Sequence, residues 1–178
     1  MPLPATITFR PGTQSDALCL SALATQVFLD TYATSGINAD LANEASQLYS
    51  RSVFESRLRN RDSEITIAEA GGYLVGFLDL ELASTCPVVE VLGPEVLRVY
   101  VQAPFQRKGL GKALLQGAEA RAQGLGAQFL WLTAWVGNAG ALAFYPTVGY
   151  KDVGNMQYII NGKSYENRVF AKALTSVA

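Results

Sequence analysis

Residues 98–113 read Arg98-Val-Tyr-Val-Gln-Ala-Pro-Phe-Gln-Arg-Lys-Gly-Leu-Gly-Lys-Ala113, and no other stretch constrains the fold as much. A β-branched apolar run ends at Val101. A short loop holding Pro104 follows, and helical spacing begins at Gly109-Leu110-Gly111. The pattern predicts a strand, a loop and a helix in immediate succession. Glycine lets main chain come close to a ligand, and a first helical turn leaves N–H donors without intrahelical partners. Those donors and the helix dipole favour an anion. Gln106, Arg107, Lys108, Gly109, Leu110, Gly111 and Lys112 line this start, three of them cationic. A diphosphate cradle is the simplest reading. A solvated helix start, with Gly109 as a mere cap, is the bland one.

Two other phosphate loops are excluded by residue type. A P-loop needs Gly-x-x-x-x-Gly-Lys-Ser/Thr, but Gln106 stands at the first glycine and Ala113 at the hydroxyl position. A dinucleotide fingerprint needs three glycines directly after a strand, and only two are present. The chain contains no histidine. That removes Ser-His-Asp triads, HExxH chemistry and His-ligated metals. Proton transfer must come from Glu, Asp, Tyr, Lys, Cys or water. Cys19 and Cys86 have no CxxC partner, which argues against zinc. They are expected as ordinary buried or half-buried thiols, and no metal is expected.

The 178 residues suit one domain spanning 1–178, and 49% hydrophobic residues are enough for a sizeable core. A formal charge of −1 offers no broad basic surface for nucleic acid. The strongest apolar run, residues 129–136, falls far short of the ~20 residues that cross a bilayer. No charged-then-apolar leader opens the sequence. The expectation is a cytoplasmic protein that binds neither nucleic acid nor membrane.

Periodicity predicts the rest. Residues 7–10 read as a strand ended by Pro11-Gly12. A helix capped by Thr13 or Ser15 runs through Phe28, and residues 31–38 read as a polar loop. A second helix covers about 39–60, with a break near Tyr49. Segments 64–69 and 73–82 form a hairpin around Gly71-Gly72. Residues 84–94 are turn-rich and lead into a strand over about 96–101. The helix after the glycines ends near 124–126. A strand at 128–135, a short helix at 138–147, a strand opened by Gly149-Tyr150, and a hairpin around Asn161-Gly162 complete the chain. The order β-α-α-β-β-β-α-β-α-β-β predicts one mixed α/β sheet without linker or repeat.

Gln106-Arg-Lys-Gly109-Leu-Gly111 after a strand is followed about 30 residues later by Asn138-Ala-Gly-Ala141-Leu-Ala-Phe144-Tyr145-Pro-Thr-Val-Gly149-Tyr150. These two motifs, in this order and separation, resemble those of the GCN5-related N-acetyltransferase (GNAT) family, and the resemblance covers about residues 5–173. Val27–Tyr32, Leu97–Val101 with Phe105-Gln106, and Trp131–Trp135 are similar to bacterial spermidine/spermine-type enzymes within it. The resemblance implies a GNAT fold: a mixed sheet of about seven strands, helices on both faces, and splayed central strands that admit acetyl-CoA. It also implies acetyl transfer to a primary amine.

On that resemblance, amides of Arg107 through Lys112 would hold the pyrophosphate. The pantetheine would pair with main chain near Val99 and Val101 like an added strand, beside a bulge after Tyr100. The Val101 N–H would polarise the thioester carbonyl. Asn138 would bond the pantetheine arm, with Ala141 and Phe144 completing the cofactor side. A phenol has an ordinary pKa near 10, so Tyr145 can give a proton to the departing thiolate; its bland reading is an aromatic beside Phe144. Glu95 aligns with a carboxylate used as base, or is a solvated strand-end acid. Glu81 and Glu90 are further acids that would attract a cationic amine. Tyr32, Asp30 and Trp135 are candidate acceptor-site residues, and Asp79 reads as a hairpin surface acid. Pro146 should shift the end of the short helix. Acceptors other than a polyamine stay open: a peptide N-terminus, an amino acid or an aminoglycoside. So does a non-catalytic acyl-CoA-binding module. The C-terminal strands, with an exposed edge, would suit a homodimer.

Overall fold

The first helix owes its start to one acid. Asp16 accepts the Thr13 N–H at 2.7 Å and both Arg10 terminal nitrogens at 2.8 Å, so the chain leaves strand β1 (Ile7–Pro11) and turns at once into α1 (Ala17–Tyr32). This closure holds the Asp16 carboxyl down to about 2, chiefly through the Arg10 hydrogen bonds. The computed structural model describes residues 6–160 and 162–174; the turn residue Asn161 of the expected hairpin lies outside the described residues.

After α1 come α2 (Ala39–Leu48), capped by Asn38 on the Leu41 N–H, and α3 (Arg51–Arg59), capped by Ser50. The expected break near Tyr49 is therefore present. The hairpin of β2 (Ser63–Ala70) and β3 (Tyr73–Cys86) turns through Gly71 and Gly72, both at positive φ. Then follow β4 (Val91–Val101), α4 (Leu110–Gly124), β5 (Phe129–Trp135), α5 (Ala139–Thr147), β6 (Lys151–Ile160) and β7 (Lys163–Ala173). The seven strands lie in the order β1-β2-β3-β4-β5-β7-β6. The β4–β5 ladder is parallel and pairs Glu95 with Trp131 and Val96 with Leu132; β5–β7 and β6–β7 are antiparallel.

The chain folds as two compact units, residues 1–79 with 98–115 and residues 80–97 with 116–178. In the first, Leu20, Leu23, Ala24, Val27 and Phe28 of α1 pack on Phe54, Ile65, Ile67 and Phe77. That stripe follows the i, i+3, i+4 spacing of an amphipathic helix. In the second, Cys86, Trp131 and Val169 form a smaller core with Phe129 and Met156 against it.

Four expectations need correction. Residues 31 and 32 belong to α1, because the Thr31 hydroxyl bonds the Val27 carbonyl at 2.7 Å and the Ala33 N–H closes on Leu29. Segment 84–94 is mostly strand: only residues 87–90 turn, with Glu90 at φ 53 and its N–H on the Cys86 carbonyl. Cys19 is exposed, since it falls on the solvent side of α1, whereas Cys86 is buried. Pro146 does not shift the end of α5, which closes at Thr147; near a C-terminus the missing N–H costs one bond only.

Candidate active site

In the first unit, β4 ends at Val101 and the chain makes a tight single turn. Phe105 and Gln106 donate their N–H groups to Gln102 and Ala103, and the Gln106 side chain reaches back to the Val101 carbonyl at 2.9 Å. Arg107 at φ 59 and Gly109 at φ 84 then swing the main chain into α4. Nothing lies within 4 Å of where a Gly109 Cβ would stand, so the glycine serves backbone conformation and not packing. The first intrahelical bond is Ala113 N–H to Gly109 carbonyl at 2.9 Å. The amides of Leu110, Gly111 and Lys112 therefore have no partner in their own helix. Arg107, Lys108 and Lys112 are exposed around them, and the Lys108 ammonium lies 5.4 Å from the Phe105 ring.

Behind β4 the same unit holds a network that sequence reasoning missed. Asp79 is 0% exposed, not a surface acid. Its Oδ1 accepts Arg57 Nη2 at 2.6 Å and Nε at 3.2 Å, and its Oδ2 accepts Arg98 Nη1 at 2.6 Å. A charge without such partners is too costly to bury. The signal was present: Asp79 interrupts the apolar run 75–80, and a carboxylate there needs a cation. The Arg98 guanidinium continues over the Tyr49 ring at 5.4 Å, and the Tyr49 and Tyr100 hydroxyls share a hydrogen bond of 2.9 Å. Desolvation pushes both phenols up from their ordinary value, Tyr100 further. Tyr32 joins this cluster through Phe28, ring centroids 4.9 Å apart, while Asp30 points to solvent. Val99 is half-buried and Val101 buried.

In the second unit, Asn138 caps α5. Its Oδ1 accepts the Ala141 N–H at 3.0 Å, and its own N–H bonds the Trp135 carbonyl at 2.9 Å. The cap leaves the Asn138 NH2 group for other contacts. The Trp135 indole lies over Gly137, where any Cβ would collide with it. Ala141, Phe144 and Tyr145 are half-buried. The Tyr145 ring meets Phe144 and Phe170 at 5.5 Å and Tyr150 at 6.1 Å between centroids. Glu95 is 6% exposed, so it is no solvated strand-end acid; it accepts the Ser84 hydroxyl at 2.7 Å. Glu81 is half-buried and Glu90 exposed. Among the described residues, no group of three or more Cys, Asp or Glu is placed to hold a metal ion, and no helix is long and apolar enough to cross a membrane.

A strand-to-helix turn whose first helical amides have no partner in their own helix, set among cations, suits an anionic ligand. Residues 31–150 match the acetyltransferase (GNAT) family. The N-acetyltransferase YhfO of Bacillus subtilis strain 168 is 30% identical over 158 residues, 87% of this chain and 97% of that protein. The fold is shared with the PaiA N-acetyltransferase of Thermoplasma acidophilum in complex with coenzyme A, at 22% identity and TM-score 0.76 over 94% of this chain and 99% of that one. It is shared too with Arabidopsis thaliana NAA60 in complex with a bisubstrate analogue, at 19% identity and TM-score 0.72 over 96% and 99%. The chain belongs to the GNAT family of acetyltransferases. It is an N-acetyltransferase, and its co-substrate is acetyl-CoA.

Proposed function

We propose that this enzyme acetylates a small primary amine, with a polyamine as the first candidate, and that Tyr145 is its general acid. The observation that carries the reading is the placement of Tyr145. It stands on a capped helix, half-exposed, with its ring fixed by three other aromatics. A phenol held in one orientation is what a departing thiolate needs.

In this reading the coenzyme A diphosphate rests on the amides of residues 107–112, which the unpaired first turn of α4 supports. Val99 and Val101 pair with the pantetheine, and the Val101 N–H polarises the thioester carbonyl. Ala141 and Phe144 flank the carrier, and the Asn138 NH2 group bonds its arm. An amine arrives as ammonium. Glu95 takes one proton, which passes to solvent. Nitrogen then attacks the acetyl carbon, and the tetrahedral intermediate collapses with cleavage of the C–S bond. Tyr145 gives its proton to sulfur and is restored by the second proton that nitrogen loses. The buried position of Glu95 beside a neutral hydroxyl supports a proton-accepting role. Asp30, Tyr32, Glu81 and Trp135 define the acceptor side, and the two carboxylates suit a cationic amine. The chain acts as one catalytic domain in the cytoplasm. The outer strand β6 offers an edge for a second copy.

Thiol release from acetyl-CoA, screened against spermidine, an amino acid, a peptide with a free N-terminus and an aminoglycoside, tests the acceptor. Fastest turnover with spermidine is expected. Preference for the peptide moves the assignment to N-terminal acetylation, and no thiol release from any amine contradicts an enzyme acting on primary amines.

A further inference from the structure

The C-terminal end of α5 is weak by composition, yet it carries the residue on which the chemistry above depends. Pro146 has no N–H to offer the Leu142 carbonyl. The chain then turns sharply: Val148 and Tyr150 N–H groups both return to the Tyr145 carbonyl, at 3.2 and 3.1 Å, and Gly149 N–H to the Pro146 carbonyl. Clustered carbonyls at a helix end carry partial negative charge.

A cation sits there. Lys172 Nζ donates to the Val148 carbonyl at 3.0 Å and to Glu119 Oε2 of α4 at 2.8 Å. It also lies 5.6 Å from the centroid of the Tyr150 ring, which is 2% exposed and packs on Tyr145. Gly149, at φ 93, makes room: a Cβ there would meet the Lys172 Cε at 3.2 Å. Strand alternation puts Lys172 on the same face of β7 as Phe170, and Phe170 touches the Tyr145 ring. One strand thus presents an aromatic to the Tyr145 ring and, two residues on, an ammonium to the turn that ends its helix.

We propose that Lys172, oriented by Glu119, is a positioning residue for Tyr145: it pins the α5–β6 turn and so fixes the direction of the phenol. The proposal rests on the general-acid reading of Tyr145. It assigns work to two residues outside both family motifs. A small misplacement of a reacting group is enough to cost one or two orders of magnitude in rate.

The test uses the full chain, with acetyl-CoA and a fixed mixture of spermidine, lysine and a short peptide as acceptors. Lys172→Met keeps the aliphatic stem and removes the charge. Its kcat is expected to fall at least tenfold, while KM for acetyl-CoA and the calorimetric Kd for coenzyme A stay within twofold of wild type. Lys172→Arg should recover most of the loss. In a Tyr145→Phe background, Lys172→Met should add less than twofold, since the phenol it serves is gone. Amide exchange at Val148, Gly149 and Tyr150 should quicken. If Lys172→Met loses its cooperative thermal transition, Glu119→Gln replaces it, with at least a threefold loss of kcat expected. Unchanged kcat, or an equal loss in both backgrounds, overturns the proposal. A Tyr145→Phe enzyme as fast as wild type overturns instead the reading beneath it, and the proposal falls with it.

Discussion

Two strand-to-helix junctions in this chain each carry two glycines and are built differently. At the junction opening α4, Arg107 and Gly109 take left-handed conformations, the first intrahelical bond is Ala113 N–H to the Gly109 carbonyl, and three exposed cations stand around it. The junction opening α5 is closed on itself, with Asn138 satisfying the Ala141 N–H and its own N–H returned to Trp135. The first keeps donors in reserve for an anion. The second uses two of its donors internally, and Tyr145, the proposed general acid, sits two turns later among Phe144, Tyr150 and Phe170. A helix start that binds and a helix that aims a side chain have different requirements, and in the proposed function each junction meets one of them.

Breaking the second junction's product should give the largest effect. Tyr145→Phe is expected to lower kcat by about 10²–10⁴ with coenzyme A affinity unchanged; steady-state kinetics beside calorimetry separates the two. Next comes the scaffold behind β4. Asp79→Asn leaves two half-buried arginines short of the one fully buried carboxylate they share, and chemical denaturation should show a loss of about 3 kcal/mol. The first junction should respond in affinity alone. Lys108→Glu with Lys112→Glu should weaken coenzyme A binding by about tenfold or more, more at low salt than at high, with kcat at saturation little changed. The smallest effect is at Asp16, whose partners are Arg10 and Thr13. Its folded pKa of about 2 lies below the unfolded value near 3.9. Its contribution is therefore complete above about pH 4 and lost as pH falls towards 2. The pair is partly solvated, so the contribution is about 1 kcal/mol. Asp16→Asn should flatten the stability profile in that window and leave activity alone.

Much of this was legible beforehand. Turn residues and periodicity placed most elements to within a few residues, and the paired motifs located both junctions and the family. What escaped was decided by tertiary partners. Asp79 reads as a hairpin acid until Arg57 and Arg98 arrive from α3 and β4. Tyr49 and Tyr100 are 51 positions apart in sequence yet share a hydroxyl contact. Segment 84–94 carries two prolines and a glycine, which mark turns locally, but strand pairing overrode them. Lys172 and Glu119 carried no signal at all, because a lysine on a late strand looks like any solvated cation until the helix end above it is known.

The account depends most on the amides at the start of α4 receiving the diphosphate of an acyl carrier. Calorimetric titration of coenzyme A into the purified chain reads this directly. One-to-one binding with a micromolar Kd, weakened about tenfold or more in the Lys108→Glu, Lys112→Glu variant, is the predicted result. No binding to the wild type, or equal binding to both proteins, would contradict it.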